Sequence, residues 1–122
     1  ADRCPEIRWQ LAHMGGDVPF LAHRLASLAE REAGGVAANL ERPFLEYLQG
    51  FYYDTGLSNN APALAGTLEV ASIGQVVFGT DWPYCALPAG GDPFPGLAGL
   101  TADQRALVDS ANGADLVPRL AG

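Results

Sequence analysis

Residues 75–84 read Gln-Val-Val-Phe-Gly-Thr-Asp-Trp-Pro-Tyr, and this stretch decides which fold the sequence predicts. Its β-branched and aromatic run at 76–78 predicts a short buried strand, which cannot continue through Pro83 because proline has no amide donor. Asp81 therefore lies where the strand gives way to a loop. In α/β folds, ligands and metals bind at that end of the strands, and a hard carboxylate suits a divalent cation. The alternative is that Asp81 only caps the loop in an Asx-turn.

A histidine occupies the same kind of position earlier in the chain. Alternating apolar residues predict a first strand over residues 6–13, with His13 as its last residue. The glycine pair at 15–16 then opens a tight turn and leaves the imidazole uncrowded. His13 is therefore either a hydrogen-bonded structural histidine or an acid–base group at a strand end. Asp54, near the end of a second strand predicted at residues 51–55, is interpreted as a turn cap or a hydrogen-bonding group in the wall of a site, with the structural role preferred.

Helices are predicted between these strands. A stripe of Leu21, Leu25 and Leu28 predicts a helix that begins at Val18 and ends at the glycines of residues 34–35. The remaining segments are predicted as helices at 39–49, 59–70, 101–112 and 114–120. The loop at 89–96 is predicted to be a lid or pocket wall, with a disordered loop as the alternative. Strands separated by helices pair in parallel through right-handed crossovers, and three of them make only part of a sheet. The chain is therefore expected to be a piece of a larger parallel sheet or barrel.

The composition limits the classes of function. The 122 residues suffice for one domain with a core, and apolar residues make up 48% of the chain. A formal net charge of −7, with seven Arg and no Lys, argues against nucleic acid or an anionic membrane as a partner. No apolar stretch is long enough to span a bilayer. Cys4 and Cys85 are expected to be reduced thiols of a cytoplasmic protein, with a single disulfide between them as the alternative.

Four stretches together resemble the C-terminal part of the amidohydrolase-related metal-dependent hydrolases and decarboxylases, the branch that includes aminocarboxymuconate semialdehyde decarboxylase and gamma-resorcylate decarboxylase. They are Leu-Ala-His-Met-Gly-Gly at 11–16 with Pro19, Phe-Tyr-Tyr-Asp-Thr at 51–55, Phe-Gly-Thr-Asp-Trp-Pro-Tyr at 78–84 and Asp-Ser-Ala-Asn-Gly-Ala at 109–114. The resemblance covers nearly the whole chain. It implies that residues 1–122 form a single segment of an eight-stranded (β/α) TIM barrel, with strands that match the sixth to the eighth.

The same resemblance implies roles for two residues. His13 matches a sixth-strand histidine, and Asp81 matches an eighth-strand aspartate that touches the metal. Both would be catalytic, and Asp81 would also be a ligand of a divalent metal, with zinc as the expected ion. This chemistry is coherent because a cation lowers the pKa of bound water while a nearby acid–base group moves protons. The family's metal ligands on the first and fifth strands have no counterpart in this sequence, so the ligand set is incomplete.

The leading hypothesis is the C-terminal portion of a metal-dependent hydrolase or non-oxidative decarboxylase that acts on a small carboxylated or cyclic substrate. Because the ligand set is incomplete, we expect the 122 residues alone to be inactive, and either to self-associate or to pair with a missing N-terminal half. One alternative is a non-catalytic fragment that self-associates through open sheet edges. Another is a small-ligand binding module with a pocket near Trp82 and Tyr84.

Overall fold

The structure, a computed structural model, describes residues 1–31, 39–86, 92 and 94–120. Within these residues, three short parallel strands form one sheet, namely β1 (Gln10–Leu11), β2 (Tyr52–Asp54) and β3 (Val76–Val77). They lie in the order β1-β2-β3, with Leu11 opposite Tyr53 and Tyr53 opposite Val76. The three strands and their parallel pairing are as predicted. Parallel pairing places the carboxyl ends of all three strands at the same edge of the sheet.

Helices connect the strands and follow the last one. Between β1 and β2 lie α1 (Val18–Arg31) and α2 (Phe44–Gln49), and between β2 and β3 lies α3 (Ala61–Leu68). After β3, the chain forms one continuous run of α4 (Ala102–Ala106), a π-helical segment (Leu107–Ala111) and α5 (Asn112–Leu116). Single 3-10 turns occur at His13–Gly15, Ile73–Gln75, Pro95–Leu97 and Pro118–Leu120. No helix in the described part of the chain is long and apolar enough to cross a membrane.

The strands are shorter than the sequence predicted. The first one, expected over residues 6–13, pairs only at Gln10–Leu11, and Ile7 and Trp9 are 45% and 42% exposed. Phe78 likewise lies outside β3 and is 42% exposed. Periodicity marks residues that are able to enter a sheet, but a ladder extends only where a neighbouring strand supplies hydrogen bonds. In the described residues, β1 and β3 each have a neighbouring strand on one side only.

Helix α1 begins where it was predicted to begin, but it buries a different face. Its buried residues are Ala22 and Ala26, whereas Leu28 of the predicted leucine stripe is largely exposed. Leu21 and Leu25 of that stripe are half-buried. Two other predicted features lie wholly or partly outside the described residues, namely the helix end at 34–35 and residues 89–91 and 93 of the loop at 89–96.

Two clusters of buried side chains form the core. One contains Met14, Leu64, Val76, Phe94, Leu97 and Val108, and the other contains Ala22, Leu48, Tyr53, Val70 and Ala71. The Tyr53 hydroxyl donates to the carbonyl oxygen of Leu48 at 2.7 Å, and burial raises the pKa of Tyr53 to about 12. The sheet supports both clusters, because Val76 of β3 belongs to the first and Tyr53 of β2 to the second.

The predicted end of the last long helix near Asn112 is wrong, because the helical run continues to Leu116. Asn112 is a buried helical residue and not a terminal one. Its Nδ2 donates to the carbonyl oxygens of Ile73 and Val76 at 2.8 and 2.7 Å. These two hydrogen bonds attach the C-terminal helical run to β3 and to the turn that precedes it.

Arg105 joins Asp92 to the same helical run. Its Nη2 and Nη1 donate to Asp92 Oδ1 and Oδ2 at 2.7 and 2.9 Å, and its Nε donates to Asp109 Oδ1 at 2.8 Å. The guanidinium lowers the pKa of Asp92 to about 2. Phe94 packs edge-on against Phe78 with ring centroids 4.9 Å apart. The ion pair thus attaches Asp92 to α4, and the ring contact attaches Phe94 to the residue that follows β3.

We expect Asn112→Ala to lower the free energy of unfolding by about 1–3 kcal/mol, because two main-chain carbonyl oxygens lose their donor. Urea denaturation followed by circular dichroism measures the loss. Ser110→Ala is the control, because Ser110 is exposed on the same helical run and its hydroxyl donates to the Ala106 carbonyl oxygen at 3.3 Å. The control should stay within about 0.5 kcal/mol of the wild type. Equal losses in both variants would contradict this role of Asn112.

A second prediction concerns pH. The pKa of Asp92 is lowered in the folded chain from its ordinary 3.8 to about 2. Its ion pair with Arg105 therefore stabilises the fold fully at pH values above 3.8. The stabilisation should be lost as the pH falls through about 2. We therefore expect the urea midpoint of wild type to exceed that of Asp92→Asn at about pH 6, and the difference to shrink towards zero near pH 2.

Asp17→Asn is the control for this pH series, because Asp17 is an exposed carboxylate outside the Arg105 network. It should follow the wild type across the series. A gap between wild type and Asp92→Asn that stays constant down to about pH 2 would show that the ion pair is not the source of the stabilisation.

Candidate active site at the strand ends

His13 and Asp81 lie on the loops just beyond the carboxyl ends of β1 and β3. His13 Nε2 is 3.9 Å from Asp81 Oδ1, and the two side chains are 41% and 19% exposed. The structure therefore brings together the two residues that the sequence indicated as catalytic and leaves both accessible to a small molecule. Their catalytic and metal-binding roles remain predictions.

Both residues adopt an unusual backbone conformation. The φ angles of His13 and Asp81 are 57° and 59°, in the left-handed region. That region costs a residue with a side chain about 1–2 kcal/mol, and such strain concentrates at functional sites, where surrounding contacts enforce it. Met14, Gly15 and Gly16 also have positive φ, so four consecutive residues after β1 share this sign of φ. His and Asp are among the residue types that adopt this region more often than others, but neither type requires it.

The contacts of the His13 ring fix its neutral tautomer. Nδ1 lies 2.9 Å from the carbonyl oxygen of Gly56. A carbonyl oxygen only accepts hydrogen bonds, so Nδ1 carries the ring proton and donates it. The lone pair of the neutral ring is then on Nε2, the atom that faces Asp81. Nε2 is thus the ring atom available to accept a proton or to bind a cation.

Asp54 supports this arrangement from the end of β2. Its buried carboxylate accepts from the backbone N–H of His13 at 3.0 Å and of Gly56 at 2.9 Å, both at Oδ1. Oδ2 accepts from Gln10 Nε2 at 2.7 Å. Asp54 therefore caps a turn and also contacts a residue of the site, which unites the two roles that the sequence left open.

Thr55 is the supporting residue that sequence reasoning missed. It is fully buried, and its hydroxyl both donates to the carbonyl oxygen of Gly79 at 2.9 Å and accepts from the N–H of Gly79 at 3.0 Å. Its own N–H donates to the carbonyl oxygen of Val77 at 3.1 Å. These bonds continue the pairing of β2 and β3 beyond the strands and set the start of the loop that carries Asp81. A threonine at a strand end is too common to signal this role.

The turn that contains Asp81 is stabilised by other groups. In an Asx-turn, the Asp81 carboxylate would accept a hydrogen bond from the backbone N–H two residues later. That residue is Pro83, which has no N–H. Instead, the Trp82 N–H donates to Thr80 Oγ1 at 3.1 Å, and the backbone carbonyl of Asp81 accepts from the N–H of Tyr84 at 2.8 Å. The capping alternative for Asp81 is therefore not what the structure shows. Its carboxylate remains available to a ligand.

The donors on this chain suit a hard cation but do not complete a metal site. Asp81 supplies an anionic oxygen, and His13 Nε2 supplies a nitrogen lone pair close by. In the ranges that the structure describes, no group of three or more His, Cys, Asp or Glu side chains is placed to hold a metal ion. A metal bound at Asp81 would need ligands from elsewhere.

Comparisons with known proteins cover nearly the whole of this chain. A protein-family model described as Amidohydrolase matches residues 1–119. A 6-methylsalicylic acid decarboxylase from Penicillium expansum is 32% identical over 120 residues, which are 97% of this chain and 37% of that protein. The decarboxylase yanB from Aspergillus niger is 38% identical over 85 residues, which are 67% of this chain and 23% of that protein. The chain thus spans at most 37% of the length of these relatives.

Solved structures agree on the fold. A 5-carboxyvanillate decarboxylase from Sphingomonas paucimobilis superposes with a TM-score of 0.79 at 28% identity, over 96% of this chain and 35% of that one. A dihydroxybenzoic acid decarboxylase from Polaromonas sp. JS666, with bound manganese and the inhibitor 2-nitroresorcinol, superposes with a TM-score of 0.78 at 19% identity, over 94% and 35%. The expected fold class, part of a (β/α)8 barrel, is confirmed.

The close packing of the site predicts opposite effects for two glycine substitutions. A Cβ at Gly79 would lie 2.9 Å from Cβ of Asp54, so Gly79→Ala should destabilise the chain by about 1–3 kcal/mol. Gly66 lies inside α3 with open space at its Cβ position, so Gly66→Ala should stabilise it by about 0.5–1 kcal/mol. The melting temperatures of the two variants, compared with wild type, show whether each substitution stabilises or destabilises the chain. A Gly79→Ala variant as stable as wild type would contradict the close approach of Gly79 to the Asp54 side chain.

Proposed function

The chain belongs to the amidohydrolase family, and on this premise we propose that residues 1–122 supply the C-terminal strands of a metal-dependent decarboxylase of small aromatic carboxylic acids. The observation that carries the proposal is the 3.9 Å approach of His13 Nε2 to Asp81 Oδ1 at the edge of the sheet where (β/α) barrels bind their substrates. The relatives named above are decarboxylases, one of them 32% identical over nearly the whole chain. This supports decarboxylation over the hydrolysis that the sequence left open.

Asp81 is the proposed ligand of a divalent cation. Its carboxylate is a hard oxygen donor that is not used by the local turn, and a cation there would supply positive charge beside a substrate carboxylate. A catalytic metal normally has three or more protein ligands, so the others would come from strands outside this chain. Zinc is the ion that the family resemblance implies. Manganese in the Polaromonas decarboxylase is the competing candidate, and metal analysis of a complete enzyme would decide between them.

His13 is the proposed carrier of the proton that decarboxylation consumes. Loss of CO2 from an aromatic carboxylate breaks one C–C bond and leaves an electron pair on the ring carbon, which must then gain a proton. Nδ1 is occupied by the hydrogen bond to Gly56, so Nε2 is the atom that takes up and releases a proton. The exposed rings of Trp82 and Tyr84 lie one and three residues after Asp81 and offer surfaces for contact with an aromatic substrate.

The proposed partner of this chain is the rest of a barrel. In the described residues, β1 and β3 each pair on one side only, and an unpaired strand edge is a template for another strand. Ile7, Trp9 and Phe78 are exposed beside these strands. The net charge of −7 opposes close association of identical copies. Complementing strands of the same fold are therefore favoured over self-association.

The proposed compartment follows from the cysteines. Cys4 and Cys85 are both free thiols, so the single disulfide considered from the sequence does not form. Free thiols are typical of reducing compartments, and on that basis we place the protein in the cytoplasm.

The proposal is testable in a chimaeric enzyme in which these 122 residues replace the matching segment of the Penicillium expansum 6-methylsalicylic acid decarboxylase. The chimaera should release CO2 from 6-methylsalicylic acid, and the 122 residues alone should not. Asp81→Asn should abolish turnover and reduce metal content, because the anionic ligand is removed. His13→Ala should keep the metal but slow turnover on the order of a hundredfold or more, the scale of an acid–base group.

His23→Ala is the matched control, because His23 is an exposed histidine on α1 and makes no contact with the site. Its rate and metal content should equal those of the unmodified chimaera. CO2 release and metal content are measured on the same samples. Full activity in Asp81→Asn would show that Asp81 does not hold the cation.

A further inference from the structure

We propose that Asp54 is a positioning residue, whose single oxygen Oδ1 holds His13 in the orientation that directs Nε2 towards Asp81. The catalytic meaning of this inference rests on the proposed function, but its geometric content does not. Asp54 is buried, and its carboxylate accepts hydrogen bonds from Gln10, His13 and Gly56. It acts through the backbone of the residues around it.

The central observation is that Oδ1 accepts from both residues that form the tautomer-fixing hydrogen bond. The N–H of His13 donates to Oδ1 at 3.0 Å, and the N–H of Gly56 donates to the same oxygen at 2.9 Å. The His13 ring in turn donates from Nδ1 to the carbonyl oxygen of Gly56 at 2.9 Å. One buried oxygen thus fixes the backbone on both sides of that bond. It also stabilises the left-handed backbone that His13 adopts, with φ of 57°.

The Asp54 side chain has little freedom to move. A Cβ added at Gly79 would lie 3.1 Å from Cγ of Asp54, and one added at Gly56 would lie 3.0 Å from Oδ1. The Cβ at Gly56 would also lie 3.3 Å from Cβ of Asp81. The carboxylate is therefore packed between the turn after β1 and the loop that carries Asp81. A displacement of Asp54 would be transmitted to both members of the pair.

The hydrogen-bond donors that contact Asp54 predict different effects for substitution by asparagine and by alanine. Asparagine at position 54 keeps an oxygen for the N–H groups of His13 and Gly56, and the Gln10 amide is able to turn its oxygen towards the new NH₂ group. Alanine removes the acceptor altogether. Asp54→Asn should therefore preserve the His13 ring geometry, whereas Asp54→Ala should release it.

The test reads the tautomer of His13 in the metal-free 122-residue chain by long-range ¹H–¹⁵N correlation spectra, at a pH where the ring is neutral. Wild type and Asp54→Asn should show a single tautomer with the proton on Nδ1. Asp54→Ala should show a mixture of both tautomers. Gln10→Ala is the matched control, because it removes the hydrogen bond to Oδ2 and leaves Oδ1 untouched, and it should retain the wild-type tautomer. His23 serves as an internal reference in every spectrum.

The outcomes separate positioning from general stabilisation. A folded Asp54→Ala variant that retains the wild-type tautomer overturns the proposal, whatever its melting temperature. If Asp54→Ala does not fold, Asp54→Asn decides, and loss of the Nδ1–H tautomer in that variant overturns the proposal. A Gln10→Ala variant that loses the tautomer also overturns it, because Oδ1 would not be the controlling atom. The measurement needs no metal, substrate or turnover, so failure of the decarboxylase proposal leaves it intact.

Discussion

The buried carboxylate of Asp54, which accepts three hydrogen bonds from neutral donors, is the interaction on which the geometry of the site depends. Parallel pairing brings the ends of β1, β2 and β3 to one edge, but pairing alone does not orient the side chains beyond the strands. The hydrogen bonds from His13 and Gly56 to Oδ1 orient the first loop. Thr55 does the same for the loop after β3 through its two hydrogen bonds to Gly79. Asp54 and Thr55, at the end of β2, therefore position the two loops that carry His13 and Asp81.

Much of this arrangement was predictable from the sequence, for physical reasons that differ between residues. The strand-then-loop pattern placed His13 and Asp81 at strand ends, and parallel order then required them to share an edge. The left-handed backbone at both positions was not predictable, because neither residue type demands it and the contacts that enforce it come from other segments. Strand lengths were overestimated for a related reason, since residues such as Ile7 have strand character but no neighbouring strand in the described part of the chain. Asn112 was misjudged as a helix end because its two hydrogen-bond acceptors lie far away in sequence.

The open edges of the sheet fit the observation that this chain covers only part of its relatives' length. It spans 37% of the Penicillium expansum decarboxylase, and its described strands have one open edge at each end of the sheet. A barrel leaves no such edge, and a complete metal site needs more ligands than Asp81. Further strands of the family fold would therefore supply both the pairing partners for the two open edges and the additional ligands for the proposed metal. In the proposed enzyme, this chain would contribute the Asp81 carboxylate and the His13 imidazole to the completed site.

The most direct measurement is a crystal structure of the chimaeric enzyme grown with manganese, with the metal located by anomalous scattering. We predict an anomalous peak in contact with the Asp81 carboxylate, with His13 Nε2 facing the same space and His13 Nδ1 still within hydrogen-bond distance of the Gly56 carbonyl oxygen. A metal peak in the barrel with the Asp81 carboxylate turned away from it, or a well-folded chimaera with no metal at this edge, would contradict the assignment of Asp81 as a metal ligand.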